Sequence, residues 1–245
     1  MGDLAAVLES LHPAPGAGGL IGADAQRCAR ALEVDGVAVS VTPGGGLSEL
    51  LWATPGVSAH LEDLQFTLGQ GPGPEVASSG AAVLVPDLSA EPAARWPALL
   101  PEAWAIGIGA VFCLPLRLGE VCLGAMTLQR VRPGPLREAL LADAWIVARA
   151  LSAALVQDEE SWAAFGAAED SSHSYRAAVH QAAGMISVQA NVSLAEAQIR
   201  LRASAFRRGR PLLQVAEDVV ARRVHFRHDD EDEPGSLTGE GTEGP

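Results

Sequence analysis

Apolar residues in the C-terminal part of the chain repeat with helical spacing in three successive stretches. Within each stretch they recur three or four residues apart, and the third also pairs two neighbours, so each set lines one face of a helix. The repeating residues are Tyr175, Val179, Ala182 and Ile186, then Leu194, Ala197, Leu201 and Ala205, then Leu212, Val215, Ala216 and Val219. We therefore predict three short helices over residues 173–227, each burying one stripe in a small shared core.

Polar residues and glycine mark the limits of these helices. Ser193 and Glu196 have the spacing of a capping box, in which each side chain bonds to the backbone of the other residue. Gly209 is typical of a helix end, and Pro211 fits the first turn of the next helix, where its missing N–H costs nothing. The second helix is therefore expected between Ser193 and Gly209, and the third is expected to begin at Pro211.

The preceding part of the chain alternates between short β patterns and helical patterns. Apolar runs that are separated by glycine-containing turns are typical of hairpins. The predicted strands are 37–42, 48–53, 82–85, 110–116 and 121–128, and the predicted helices are 21–33, 57–66, 97–106 and 135–160. Because the strands arrive as hairpins among helices, we predict an α+β fold with an antiparallel sheet flanked by helices.

The last of these helices carries a stripe with heptad spacing. Its apolar residues lie three and four residues apart, as in a two-stranded coiled coil. They are Leu141, Ala144, Ala148, Leu151 and Leu155. Two interpretations fit this stripe: it packs on the sheet, or it joins two copies of the chain and places their C-terminal helices side by side. Both hold if the helix uses different faces for the two contacts.

Charge is distributed unevenly along the chain. The 245 residues carry a formal net charge of −13, yet residues 173–227 hold nine arginines against three acids. A local excess of positive charge is typical of a polyanion binder. The candidate binding residues are Arg176, Arg200, Arg207, Arg208, Arg210, Arg222 and Arg223. The alternative is that these arginines only lie at the solvent-exposed ends of helices, since cations are favoured at helix C-termini.

Outside these regions the sequence lacks core-forming patterns. Residues 1–20 end in a run rich in proline and glycine and are predicted to be linker-like, and residues 158–172 are predicted to be a linking helix or linker. Residues 228–245 are acidic and predicted to be disordered. We find no signal-peptide pattern and no uncharged apolar stretch of membrane-spanning length. Together with three cysteines that suit no disulfide framework, this predicts a cytoplasmic protein.

No arrangement of residues indicates catalysis or metal binding. The six histidines are scattered, and no nucleophile, base and orienting residue occur together. The glycine-rich loop 69–73 lacks the G-K-[S/T] ending of a phosphate-binding loop, so we expect a structural turn. Cys113 and Cys122 are expected near each other on a hairpin centred near Gly119, as small buried residues rather than a redox pair. We predict a protein that is not an enzyme and uses no cofactor or metal.

The C-terminal motifs resemble the ANTAR family, a three-helix RNA-binding module of bacterial transcription antiterminators. The matching residues are Gln181-Ala-Ala-Gly184-Met185-Ile186, Ser193-x-x-Glu196-Ala197, Leu201-Arg202-x-x-Ala205 and Leu213-x-Val215-Ala216-x-x-Val219-Val220. The chain departs from the family at Ala183 and near Gln189, where many members have basic residues, and at Gln198, where many have an aromatic residue.

The preceding domain resembles the GAF family of small-molecule or signal-sensing modules. The matching residues are Leu68-Gly-Gln-Gly-Pro72, Val83-x-Val85-Pro-Asp87-Leu88, Arg95-Trp96-Pro97, Gly107-Ile-Gly109, Leu114-Pro-Leu116-Arg117 and Leu123-Gly124-Ala125-Met126-x-Leu128. The resemblance implies a sensor domain at residues 21–157. Asp87, Arg95 and Trp96 are the candidate pocket residues, with Trp96 alternatively part of the core.

Together the two resemblances imply a signal-responsive, homodimeric RNA-binding regulator. It is expected to bind hairpins in nascent transcripts and to prevent transcription termination, with a possible small-molecule ligand in the GAF-like domain. Two other functions stay open. One is a dimeric protein-interaction module with degenerate RNA binding, and the other is a ligand-gated DNA-binding regulator, for which Gln214 is the one third-helix residue suited to reading adenine.

Overall fold

The structure of the protein is a computed structural model that describes residues 2–11, 24–42, 48–157 and 171–226. The chain divides into two compact units, residues 1–180 and 181–245, whereas the sequence placed the boundary at 172/173. Most of the predicted linking segment 158–172 and the predicted disordered tail 228–245 lie outside the described residues. Each unit is therefore considered by itself.

The first unit contains a sheet and the helices that cover it. In chain order the elements are α1 (Gly2–Ser10), α2 (Ala25–Ala31), β1 (Gly36–Val41), β2 (Glu49–Ala53), α3 (Val57–Leu68), α4 (Pro72–Ser79), β3 (Val83–Val85), a 3-10 turn (Leu88–Ala90), α5 (Leu99–Ala105), β4 (Ala110–Leu118), β5 (Val121–Arg130) and α6 (Glu138–Gln157). All five predicted strands are confirmed to within a few residues, because their apolar runs are bounded by turn residues.

The strands form one antiparallel sheet in the order β2-β1-β5-β4-β3, which confirms the α+β fold. Helices cover both faces. On one face Val39, Leu114 and Met126 pack against α1, α2 and α6, and on the other face Val111 and Cys113 pack against α3, α4 and α5. Every residue of β1 is therefore buried, since its alternating side chains meet helices on either side.

Two helices form where the sequence predicted irregular structure. α1 lies within residues 1–20, which were predicted to be linker-like, and its Val7 joins the core together with Leu11 just beyond its end. Apolar residues spaced three and four apart favour this helix, but the proline- and glycine-rich run that follows led to the prediction of a linker for the whole segment. α4 begins at Pro72, inside the predicted loop, because proline suits a first helical turn and the fully buried Val76 anchors the helix.

The two cysteines of the β4–β5 hairpin are not neighbours. Cys113 is paired with Thr127, whereas Cys122 is paired with Arg117. The prediction that they are near diagonal neighbours is therefore wrong, because the turn at Gly119 sets a register that puts them several residues apart. All three cysteines are free thiols, and Cys28 and Cys113 are buried.

Helix α6 uses its predicted heptad stripe to cover the sheet. Ala144, Ala148 and Leu151 are almost fully buried in the core beside β4. The stripe is thus the packing face of the helix, and the interpretation of it as a seam between two copies is wrong. The segment Glu138–Val156 has the length and hydropathy of a membrane span, and 39% of the residues in its most apolar 18-residue window are buried inside the structure.

The described residues of the second unit form three helical segments. They are the end of α7 (Ser171–Ala190), α8 (Leu194–Arg207) and α9 (Leu212–Val220). The predicted buried stripes are confirmed for Ala182, Ile186, Ala197, Leu201, Ala205 and all four residues of α9, and Val179, in the first unit's part of α7, is also buried. Leu194 is an exception, since it stands exposed in the first turn of α8. The side chain of Tyr175 lies outside the described part of the chain.

Candidate functional site

The ends of the three helices of the second unit are built alike. Each ends with a residue in the left-handed conformation, Asn191 (φ 52°), Gly209 (φ 57°) and Arg222 (φ 59°) respectively. In each case the next residue donates its N–H back to the helix, for example Arg223 to the carbonyl oxygen of Asp218 at 2.7 Å. This is the Schellman arrangement, for which glycine is favoured and asparagine is tolerated. Arginine at the third end is the unusual choice.

Three of the candidate binding arginines form ion pairs within the second unit. Arg200 reaches Glu196 at 2.6 Å across one turn of α8, while Arg210 and Arg223 each bind Asp218 at 2.7 Å. The hydrogen bond from Arg210 is the main cause that lowers the pKa of Asp218, and the hydrogen bond from Arg223 is the next. The predicted capping box is half formed, since the Ser193 hydroxyl accepts the N–H of Glu196 while the Glu196 carboxylate binds Arg200.

Three further candidates, Arg207, Arg208 and Arg222, are exposed and have no carboxylate partner among the described residues. Their charges are therefore available to a phosphate. The side chain of Arg176 lies outside the described part of the chain. The six candidates with described side chains are thus three free arginines and three that would exchange an exposed intramolecular pair for an external anion, at a cost of about 0–1 kcal/mol each.

An exposed aromatic residue accompanies these arginines. Phe206 is 90% exposed and precedes Arg207, and with Ile199 it lies on the side of α8 opposite the buried residues. The sequence analysis did not identify Phe206. Its spacing of seven residues from Ile199, off the core stripe, is the signal that could have found it. An aromatic ring beside arginines suits the stacking of unpaired bases.

A groove of about 530 Å³ lies between α7 and the segment that follows α9. Its lining residues are Gln181, Gly184, Met185, Val188, Gln189, Arg222 and His225. The backbone N–H of Phe226 donates to Oε1 of Gln189 at 3.1 Å, which fixes this segment against α7. Ala183, where many members of the family that the C-terminal motifs resemble have a basic residue, is buried.

The predicted pocket residues of the first unit lie in two separate sets of polar contacts. Arg95 binds Glu75 at 2.8 Å and Glu91 at 2.6 Å and lies over the Trp96 ring at 4.5 Å. The hydrogen bond with Glu75 is the main cause of the raised pKa of Arg95. Trp96 is buried and donates its Nε1–H to Glu75 at 3.2 Å, so it belongs to the core.

Asp87 is separate from that network. Its carboxylate accepts the hydroxyl and backbone N–H of Ser89 at 2.7 and 2.9 Å, and these bonds lower its pKa. This is a cap of the 3-10 turn. Asp87, Arg95 and Trp96 thus each make local structural contacts, and their part in a ligand pocket stays a prediction.

A buried polar cluster, formed by Ser40, Glu62 and Gln65, joins α3 to β1. The Glu62 carboxylate is 4% exposed and accepts from the Ser40 hydroxyl at 2.6 Å and from Nε2 of Gln65 at 2.8 Å. Oε1 of Gln65 in turn accepts the N–H of Gly73 at 2.7 Å. The cluster thus holds the 69–73 segment, in which a short turn after α3 leads into the first turn of α4.

A second buried polar pair lies near this cluster on the sheet. Nε2 of Gln129 donates to the Ser58 hydroxyl at 3.2 Å, while Oε1 of Gln129 has no partner among the described residues. Buried polar atoms of this kind are usually hydrogen-bonded, so Oε1 of Gln129 is an exception within the described structure. The sequence could not identify it, since glutamine in a strand has no distinctive pattern.

The described residues contain no cluster of three or more potential metal ligands. Burial raises the pKa of Cys28 to about 12 and also raises that of Cys113, so both thiols are unreactive at neutral pH.

Residues 25–155 match the family of GAF domains. Among solved structures, the GAF domain of a phosphoenolpyruvate-protein phosphotransferase from Coxiella burnetii is 18% identical, with a TM-score of 0.52 and coverage of 66% of this chain and 95% of that chain. The corresponding domain from Acinetobacter is 14% identical, with a TM-score of 0.49 and coverage of 64% and 92%. At these identities the likeness concerns the fold alone. No curated protein matches the chain at a significant level.

Proposed function

Because the chain belongs to the GAF domain family, we propose that it is a signal-responsive regulator whose C-terminal helices bind RNA. GAF domains are modules for signal sensing or protein interaction. The C-terminal unit acts as an ANTAR-type module that binds hairpins in nascent transcripts and prevents transcription termination. The protein works in the cytoplasm and is not an enzyme.

The observation that carries this proposal is the exposed arginine set of the second unit. Arg207, Arg208 and Arg222 have no carboxylate partner among the described residues, although the whole chain is strongly acidic. Arginine forks match phosphate oxygens and also stack on unpaired bases. Phe206 beside Arg207 adds an aromatic surface of the kind that single-stranded loops need.

RNA is favoured over duplex DNA by the position of these groups. The exposed side of α9 offers Gln214 as its one amide for a base edge, whereas direct readout in the major groove uses several polar side chains on one recognition helix. Phe206 and Arg207 instead lie on α8, and Arg208 follows directly at its C-terminal cap. A stacking surface suits an RNA loop, whose bases are unpaired and accessible.

The buried polar cluster is the proposed place for signal reception. It connects α3, β1 and the 69–73 loop, and the nearby Oε1 of Gln129 is unpaired within the described structure. A small polar ligand that donates a hydrogen bond to this oxygen would replace a missing partner. Such a ligand changes the balance between two states only by binding one of them more tightly.

A homodimer is the proposed assembly, formed through the exposed face of α6. The exposed residues on this face are Ala142, Trp145, Ile146, Arg149, Ala153 and Val156. All but Trp145 are spaced four and three residues apart, as in a coiled-coil seam. The helix can therefore cover the sheet with one stripe and contact a second copy with the other, and Arg149 can extend its charge to the solvent.

A gel-shift experiment tests RNA binding. The purified chain is mixed with a tandem-hairpin RNA from upstream of its own operon, with scrambled RNA and with duplex DNA, at about 150 mM salt, where non-specific phosphate contacts are weak. We expect saturable binding to the tandem hairpin alone. The double variant Arg200→Ala, Arg207→Ala should lose it, because both side chains lie on the outer side of α8.

The matched control is Arg27→Ala, Arg30→Ala, which removes two exposed arginines from α2 in the first unit. This control should bind like the wild type. Equal weak binding of the wild type to all three probes would contradict the proposal and favour a protein-interaction module. Sequence-dependent binding to duplex DNA would favour a DNA-binding regulator.

A further inference from the structure

We propose that the groove of the second unit binds one unpaired nucleotide of the RNA, with the phosphate on Arg222 and the base against Met185 and Val188. The inference rests on the RNA-binding function proposed above and names a site for it. The groove is open, with a volume of about 530 Å³, and both of its walls belong to the second unit.

Two residues that line this groove are unfavourable for folding. Arg222 has φ 59° at a helix end where glycine is favoured, and the equivalent positions of the other two helices hold Gly209 and Asn191. Gly184 lies inside α7, where glycine is less stable than alanine. A Cβ atom at Gly184 would meet nothing within 4 Å, so lack of space does not explain the glycine.

The opposite residue type at position 222 and at position 184 would each make the folded state more stable. Glycine at 222 would relieve the left-handed arginine, and a side chain at 184 would strengthen α7. The residues present instead keep the groove open and place a guanidinium at its rim. Backbone strain and an unfavourable helical residue that coincide at one concave surface indicate function.

The chemistry of the groove suits a nucleotide. Arg222 is exposed without a carboxylate partner among the described residues, and no acidic residue lines the groove. Met185 and Val188 form an apolar surface, and the Val188 side chain is 84% exposed. This combination offers one cation for a phosphate and an apolar wall for a planar base.

Two amides provide polar contacts for the edge of that base. Gln181 is exposed at the groove, and Gln189 uses its Oε1 to accept the Phe226 N–H, which leaves its NH₂ group to donate. The volume lies within the roughly 300–1,000 Å³ that is usual for ligand sites. Because the groove is open, a nucleotide can enter while its neighbours in the RNA chain stay outside.

Two substitutions test the site, because each is expected to stabilise the fold and yet to weaken RNA binding, a combination that damage to the fold would not produce. Arg222→Gly and Gly184→Leu should each raise the thermal midpoint of the full chain's helical signal in circular dichroism. Each should also weaken binding to the tandem-hairpin RNA at least tenfold, the first by removing the phosphate contact and the second by filling the groove. Asn191→Gly is the matched control, since it makes the same change at the equivalent end of α7 and should leave RNA affinity within twofold.

Blunt duplex RNA of equal length provides the second probe. Its bases are paired, so Arg222→Gly should change its affinity by less than twofold. An equal tenfold loss for hairpin and duplex would show that Arg222 contacts only phosphate and would overturn the nucleotide site.

The failure of this inference is distinguishable from failure of the proposed function. If Arg200→Ala, Arg207→Ala abolishes hairpin binding while Arg222→Gly and Gly184→Leu bind within twofold of the wild type, the RNA function stands and the groove is excluded. If the wild type binds no hairpin, both proposals are wrong.

Discussion

The buried polar cluster of the first unit predicts a large effect for Gln65→Leu. Gln65 is 2% exposed and connects the Glu62 carboxylate to the backbone N–H of Gly73. Leucine has a similar volume but makes neither bond. Each unpaired buried polar group costs about 1–3 kcal/mol, and the added apolar surface returns about 1–2 kcal/mol. The two groups together cost about 2–6 kcal/mol, so we expect a net loss of roughly 1–4 kcal/mol, which lowers the midpoint by roughly 2–16 °C.

Tryptophan fluorescence is a suitable assay, because all five tryptophans precede residue 181 and none belongs to the second unit. Urea unfolding followed by this signal therefore reports on the first unit. Gln26→Leu is the matched control, since it makes the same change at an exposed position of α2. If Gln65→Leu unfolds within about 0.5 kcal/mol of this control, a spread that is ordinary for surface changes, the role given to the cluster is refuted.

Three further predictions concern the first unit. Gly124→Ala should cost roughly 3 kcal/mol or more in urea unfolding, because its Cβ would lie 2.1 Å from the Ser40 carbonyl oxygen and force β1 and β5 apart; a wild-type midpoint would contradict this. At pH 8 a thiol reagent should label the native protein at Cys122 and leave the buried Cys28 unlabelled, and equal labelling would refute the burial argument. Because the pKa of Cys28 is about 12 in the folded protein and about 9 in the unfolded chain, the free energy of unfolding should fall as the pH rises above about 9. Ile146→Glu should convert a dimer to a monomer in sedimentation while Val131→Glu, an exposed apolar control, does not, and an unchanged dimer would exclude the α6 face.

Local patterns in the sequence were sufficient for most of the fold. The strands were predictable because their apolar runs end at turns, and the helix ends near Ser193 and Gly209 were predictable because capping depends on neighbouring residues. α4 was missed for the opposite reason. Its sequence has the glycines and prolines of a loop, and only the packing of Val76 in the core makes it a helix.

The candidate sites were harder to predict, because they depend on contacts between distant residues. Arg95 matched the family motif, but its partner Glu75 lies 20 residues away and engages the charge that a ligand would need. Asp218 similarly forms ion pairs with Arg210 and Arg223, which lie eight and five residues away in the sequence. The left-handed conformation of Arg222 was not predictable, since arginine rarely adopts it.

A single-round transcription assay tests the central claim most directly. The template carries the leader of the protein's own operon and its terminator, and the measured quantity is the fraction of transcripts that pass the terminator. We predict that the wild-type protein increases this fraction, that Arg27→Ala, Arg30→Ala does the same, and that Arg200→Ala, Arg207→Ala does not. An unchanged fraction with the wild type, or an equal increase with the Arg200, Arg207 variant, would contradict the account of this chain as an RNA-binding antiterminator.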